Sequence, residues 1–112
     1  MSELAGRKCI PCEGNLKPLA DSKVQDYLSY LPGWERAGQE IVKVFTFKNY
    51  YETIAFVNEV AFIAHAEDHH PDLEVSYKTC IVRYSTHAIG DLSENDFICA
   101  AKVDCLISNS KA

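Results

Sequence analysis

Apolar residues recur along this chain with two alternating periods, and the alternation sets the expected order of elements. Val24, Tyr27, Leu28 and Leu31 fall on one face at helical spacing, which predicts a helix from Ser22 to Leu31. Asp21 stands where a cap would, and Pro32-Gly33 ends the segment. Trp34 to Arg36 and Glu40 to Phe47 read as two strands around a turn at Ala37-Gly38-Gln39. The second of these is apolar on both sides, with Ile41, Phe45 and Phe47 on one and Val42 and Val44 on the other. Such a strand is expected to be covered on both faces, by helices and by another subunit, and this predicts a homo-oligomer.

Asn49 can cap a longer helix running to about Ala66, with Ile54, Val57, Val60, Ala61 and Ala64 as its apolar stripe. That helix must stop before Pro71, because the preceding residue, His70, is steered away from helical geometry. Leu73 to Ser76 and Thr79 to His87 then read as a second hairpin. Cys80, Val82, Tyr84 and Thr86 share one face of its second strand, and Ile81, Arg83, Ser85 and His87 share the other. After Gly90-Asp91, Ser93 caps a last helix with Asp96 at its third position, the pattern of a capping box. Phe97, Ile98, Ala101 and Cys105 give that helix its apolar face. The order helix, hairpin, helix, hairpin, helix is an α+β pattern, an antiparallel sheet backed by helices. Residues 1–18 carry Pro11, Gly14 and Pro18 without periodicity and read as an N-terminal arm before a single domain at 19–112.

Composition narrows the functional classes. A chain of 112 residues suits one domain, and 47% hydrophobic with 24% charged residues is ordinary for a globular one. The net charge of -5 and the lack of a basic run argue against nucleic-acid binding. No apolar run approaches the ~20 residues that span a bilayer, and the first residues lack the apolar stretch of a secretory signal. A cytoplasmic location is therefore expected. Five cysteines cannot all pair within one chain, and free thiols are expected in a reducing compartment.

Three of the four histidines cluster at the end of the central helix: His65, His69 and His70, among Glu67, Asp68 and Asp72. The fourth, His87, ends a strand. Imidazole suits proton transfer near neutral pH, and a carboxylate can orient it. From the residues alone, three readings stand: a solvated helix end, an acid–base site and a metal site. Against metal, the adjacent side chains of His69 and His70 diverge, and His65 with His69 lies in no recognised zinc pattern. Cys9-Ile10-Pro11-Cys12 is a C-x-x-C in an arm rather than between strand and helix, with no second pair to complete a zinc site, and reads as two ordinary thiols. Glycine-rich phosphate loops and a G-x-S-x-G elbow are absent from the sequence, and Ser85 beside His87 lacks a third triad member.

The stretch Glu67-Asp68-His69-His70-Pro71-Asp72-Leu73-Glu74-Val75 resembles the pterin-4a-carbinolamine dehydratase family. So do Tyr84-Ser85-Thr86-His87, Leu92-Ser93-Glu94-Asn95-Asp96-Phe97, Pro32-Gly33-Trp34 and Phe45-Thr46-Phe47. The resemblance covers about residues 19 to 107. It implies a four-stranded antiparallel sheet with three helices on one face, and an enzyme without a cofactor or metal. His69, His70 and His87 would be catalytic, with Asp68, Asp96, Ser85 and Glu67 binding or tuning. The chain departs from animal members at Leu73, where they carry an aromatic, and at His65, where they carry a glutamate.

The implied reaction removes the hydroxyl from carbon C4a of a tetrahydropterin and a proton from N5, giving the quinonoid dihydropterin. One acid and one base suffice. On this reading His69 and His87 exchange the protons, while His70 and Asp96 position the ring. The resemblance also implies a homodimer or homotetramer and a functional link to phenylalanine hydroxylase. The rival reading is a non-catalytic dimerisation or regulatory module. The arm, lying outside the resemblance, is expected to be dispensable for catalysis.

Overall fold

The computed structural model describes residues 2–10 and 16–110. Four strands, β1 (Glu35–Ala37), β2 (Glu40–Thr46), β3 (Asp72–Val75) and β4 (Thr79–Tyr84), form one antiparallel sheet in the order β1-β2-β4-β3. The register pairs Ile41 with Tyr84, Phe45 with Cys80 and Leu73 with Val82. Because side chains alternate along a strand, this alignment gathers Ile41, Phe45, Cys80, Val82 and Tyr84 on one face, where all are buried. Helices α2 (Asp21–Leu28), α3 (Tyr50–Glu67) and α4 (Glu94–Ser110) supply Val24, Phe56, Val60, Phe97, Ile98 and Val103 to the same core. The α+β architecture matches the expectation.

The local signals explain most boundaries. The Asn49 side chain accepts from the Glu52 backbone N–H at 2.9 Å and starts α3. Ser93 and Asp96 start α4 as a reciprocal box: Asp96 Oδ2 accepts from Ser93 N–H at 2.9 Å, and Ser93 Oγ accepts from Asn95 N–H at 3.2 Å.

Four expectations need correction. Asp21 does not cap α2; Ala20 holds that position without a side-chain bond, and Asp21 is the first helical residue, paired to Arg36 at 2.9 Å. Helix α2 ends at Leu28 rather than Leu31. Tighter turns, such as Leu31 N–H to Leu28 C=O at 3.0 Å, carry Leu31 into the core. Strand β4 ends at Tyr84 rather than His87; Thr86 then bridges to Asp91, and His87 lies in the turn between them. The arm is not wholly irregular, since Ser2–Ala5 forms a short helix, α1, with Leu4 in the core. Cys12 lies outside the described residues.

On the outer sheet face Val44 stays 56% exposed beside Val42, Ile81 and the Arg83 ion pairs to Glu40 and Glu74. Among the described residues no helix is long and apolar enough to cross a membrane.

The bond by which the Asn49 side chain caps α3 is exposed. Asn49→Ala is expected to cost about 1 kcal/mol, lowering the urea midpoint without changing the slope. An unchanged midpoint would show that packing alone fixes the start of α3.

Candidate active site

How two adjacent histidines come to face different surroundings is settled by the end of α3. Asp68 takes a left-handed conformation, φ 53° and ψ 44°, which a short polar side chain tolerates better than most. The Asp68 N–H bonds to His65 C=O at 3.4 Å and the His69 N–H to Ala64 C=O at 3.1 Å. These two bonds are the Schellman closure of a helix. Reversal at Asp68 sends the His69 ring into the core, 5% exposed, and leaves His70 on the surface.

Inside, His69 Nε2 lies 2.7 Å from Asp96 Oδ1, and Asp96 is fully buried. A carboxylate this far from water costs several kcal/mol unless donors surround it. Three do: the His69 ring, the Ser93 backbone N–H at 2.9 Å and the Thr86 hydroxyl at 2.9 Å, the last two on Oδ2. An Nε2–H donating to Oδ1 is the tautomer in which all three neighbours of Asp96 are donors. Since Thr86 spends its proton on Asp96, the 2.7 Å contact between Ser93 Oγ and Thr86 Oγ1 has Ser93 as donor. Ser93 Oγ in turn accepts from Asn95 N–H. The chain of donors closes without an unpaired hydroxyl.

One face of the His69 ring lies against Tyr84, centroids 5.8 Å apart and planes within 4°. Tyr84 and the Thr86–Ser93 hydroxyl pair are the parts of this arrangement that periodicity does not reveal. Alternation along the expected strand places Tyr84 and Thr86 inward, but it does not reveal their partners. Burial pushes the Tyr84 hydroxyl far above its usual range, so it stays protonated.

Asp68, His69, His70, Ser85, His87 and Ala88 line a cavity of about 210 Å³. The turn after β4 thus brings His87 and Ser85 across from the end of α3, and the expected histidine set converges. A neighbouring recess shares Ser85 and His87 and extends along the β1–β2 turn to Glu40. Asp96 sits behind His69 rather than on the wall. His65, one turn earlier on α3, is exposed and outside this lining.

Glu67 faces away from the cavity. Its carboxylate accepts from Cys9 N–H at 2.9 Å and lies 3.7 Å from Lys102 Nζ. It lines a separate, mainly apolar recess with Ala5, Phe62 and Lys102, which contains no histidine. Burial tends to raise its pKa, but the Cys9 N–H bond and the charges of Lys102 and Lys8 outweigh that and hold the carboxyl below its ordinary value. Among the described residues, no group of three or more histidines, cysteines and carboxylates has the arrangement of a metal site.

Comparison with known proteins gives a consistent result. Residues 17–106 match the family described as pterin 4 alpha carbinolamine dehydratase. A protein of Nitrosospira multiformis is 56% identical over 106 residues, spanning 95% of this chain and 94% of its own. One of Nitrosomonas eutropha is 58% identical, spanning 94% of each. Both carry a provisional pterin-4-alpha-carbinolamine dehydratase name. The crystal structure of a transcriptional coactivator/pterin dehydratase from Brucella melitensis superposes with TM-score 0.78 at 27% identity, over 80% of this chain and 98% of that one. A pterin dehydratase-like RuBisCO assembly factor of the alpha-carboxysome shares the fold, with TM-score 0.56 at 23% identity over 65% of this chain and 84% of that one.

The position of Glu67 makes a pH prediction. A depressed folded-state pKa contributes stability that is present above the ordinary value near 4.5 and is lost as pH falls through the folded value. Glu67→Gln is therefore expected to be less stable than wild type at neutral pH, with the gap closing below pH 4.5. A gap independent of pH between neutrality and the acid transition would contradict the charge pairing.

Proposed function

The chain belongs to the pterin 4 alpha carbinolamine dehydratase family, a family of hydro-lyases, and on that premise we propose that it dehydrates a 4a-hydroxytetrahydropterin by histidine general acid–base catalysis. The observation that carries this reading is the buried His69–Asp96 pair behind a cavity rimmed by His70 and His87. In the reaction the C4a–O bond breaks as the hydroxyl takes a proton and leaves as water. N5 loses its proton, and the electron pair of that N–H bond forms the C4a=N5 double bond of the quinonoid product. One proton is added and one removed, so each turnover leaves the base with an extra proton and the acid short of one, and both are reset by exchange with each other or with solvent before the next turnover.

The geometry supports separate tasks. With its Nε2 held by Asp96, His69 is the imidazole assigned to take the proton. The Asp96 carboxylate then stabilises the imidazolium, as buried carboxylates do in hydrolase triads. His87, exposed on its turn, exchanges protons with solvent between turnovers. His70, Ser85 and Asp68 line the wall where a ring would be held. The cavity is smaller than the ~300–1,000 Å³ typical of drug-sized ligands, which suits a small bicyclic ring with its side chain outside. The chemistry needs neither metal nor redox cofactor. The C4a hydroxyl must come from a hydroxylating enzyme, of which phenylalanine hydroxylase is the expected example. A cytoplasmic homodimer or homotetramer completes the reading, the outer sheet face being the surface a second copy would cover.

The Brucella relative's name couples dehydration with transcriptional coactivation, so a binding role is the second reading. An assay of purified protein without any hydroxylase separates the two. Turnover is expected, and it should survive extensive chelation. His69→Ala and His87→Ala are each expected to lower it by about 10²-fold or more. Asp96→Asn should do comparable damage with the fold intact, since its amide must present a donor either to His69 or to the Thr86 and Ser93 donors. His65→Ala should matter little. Equal harm from His65→Ala, or activity that vanishes on chelation and returns with zinc, would overturn the assignment.

A further inference from the structure

Sequence places Cys9 and Cys12 close together as two ordinary thiols, and the fold sets Cys9 against a third. Its Sγ lies 3.5 Å from Sγ of Cys99, ninety positions away on α4. The approach is fixed by the backbone around it. Ile10 and the Asn95 side chain form a two-point amide pair: Ile10 N–H donates to Oδ1 at 2.9 Å, and Nδ2 donates to Ile10 C=O at 2.7 Å. Asn95 is buried, and it precedes Cys99 by one helical turn. Cys9 N–H reaches Glu67 on α3, Lys102 Nζ reaches the Ala5 carbonyl at 2.6 Å, and Arg7 pairs with Glu94 at 2.6 Å. The segment from Leu4 to Ile10 therefore clasps the end of α3 to the start of α4, the two places that carry His69 and Asp96.

We propose that Cys9 and Cys99 are a redox modification site, oxidised to an intramolecular disulfide by thiol–disulfide exchange with a small disulfide such as glutathione disulfide. A disulfide needs the sulfurs about 2.05 Å apart, so the thiols must close by roughly 1.5 Å from their van der Waals contact. Cys9 is half-buried and Cys99 fully buried, which orders the steps. The Cys9 thiolate attacks one sulfur of glutathione disulfide, forming a mixed disulfide and expelling one glutathione. Cys99 then loses its proton and attacks the Cys9 sulfur, expelling the second. Two protein thiols are oxidised, one glutathione disulfide is reduced, and the two protons leave on two glutathione thiols. The contact with Cys9, together with burial, pushes the Cys99 thiol well above its usual range, so the second step is the slower one.

The product closes a loop nearly as long as the chain. That restricts the unfolded state strongly, and it fixes the arm covalently one turn beyond Asn95. The sequence expectation of a dispensable arm then holds for the reduced protein at most, because in the oxidised one the arm is cross-linked to the helix that bears Asp96.

The test uses full-length protein, as wild type and as Cys12→Ser, incubated with glutathione disulfide. It is then acid-quenched, alkylated under denaturing conditions and mapped by mass spectrometry. The expected product is a monomer lighter by two hydrogens, with the peptides of Cys9 and Cys99 linked in both proteins. Its melting temperature should rise by about 5 °C or more and return on reduction. Cys99→Ser should stop at a glutathione adduct on Cys9. A Cys9–Cys12 link in wild type with no link in Cys12→Ser would overturn the proposal, as would a lasting Cys9 adduct beside free Cys99, or no oxidation. None of these readouts depends on turnover, so the dehydratase reading can fail separately.

Discussion

The hydrogen bond between His69 and Asp96 is the constraint on which the rest of the site depends. It joins the segment just after α3 to the first turn of α4 across the core at 2.7 Å, with both side chains nearly or wholly withdrawn from water. A buried carboxylate tolerates few substitutes, because removing one partner leaves a charge uncompensated at about 3–5 kcal/mol. Asp96 also closes the capping box of α4 and takes the Thr86 hydroxyl. One side chain therefore starts a helix, anchors the turn that presents His87, and sets the orientation of an imidazole. Stability and the proposed chemistry draw on the same three donors.

The cavity follows from that anchor. Thr86 is held inward by Asp96 and Ser93, and its bridge to Asp91 leaves His87 and Ser85 on the opposite side. Gly90, at φ +64° in open space, lets the turn reverse. On the other wall, the left-handed Asp68 sends His69 inward and His70 outward. Two short reversals, each beside a buried hydrogen bond, bring three histidines from two segments to one small volume. The flat stack on Tyr84 then limits the tilt of the His69 ring.

Much of this was legible in the sequence. The periods gave element order and most core faces, but on α3 the buried residues are Thr53, Phe56, Val60 and Ala64, with Ala61 of the expected stripe exposed. The Asn49 cap and the Ser93–Asp96 box gave two helix starts, and the inward set Cys80, Val82, Tyr84 and Thr86 is buried as alternation required. The histidine set was legible through its resemblance, while the residues alone left a solvated helix end and a metal open. What was not legible depends on contacts between distant residues. Tyr84 reads as a core aromatic until β4 is placed beside the end of α3. Glu67 shares its stretch with Asp68 and His69 but points to the arm, because helical geometry turns consecutive side chains by about 100°. Asp21 has the right type for a cap, yet helical geometry begins one residue earlier than its type suggests. The segment from Ala5 to Ile10 shows no periodicity because the hydrogen bonds of Ala5, Cys9 and Ile10 run to backbone atoms and single side chains, Asn95 above all, and such pairings leave no repeating pattern.

The measurement closest to the centre of this account is the ring N–H of His69 in nitrogen-15-labelled protein at neutral pH. A buried Nε2–H donated to a carboxylate should appear as a downfield, slowly exchanging imidazole proton, and Asp96→Asn should abolish it while the amide spectrum keeps the dispersion of a folded chain. His70 and His87, exposed to water, should give no such signal. A His69 ring proton that exchanges as fast as theirs, or one that survives Asp96→Asn unchanged, would contradict the central role given to the His69–Asp96 bond.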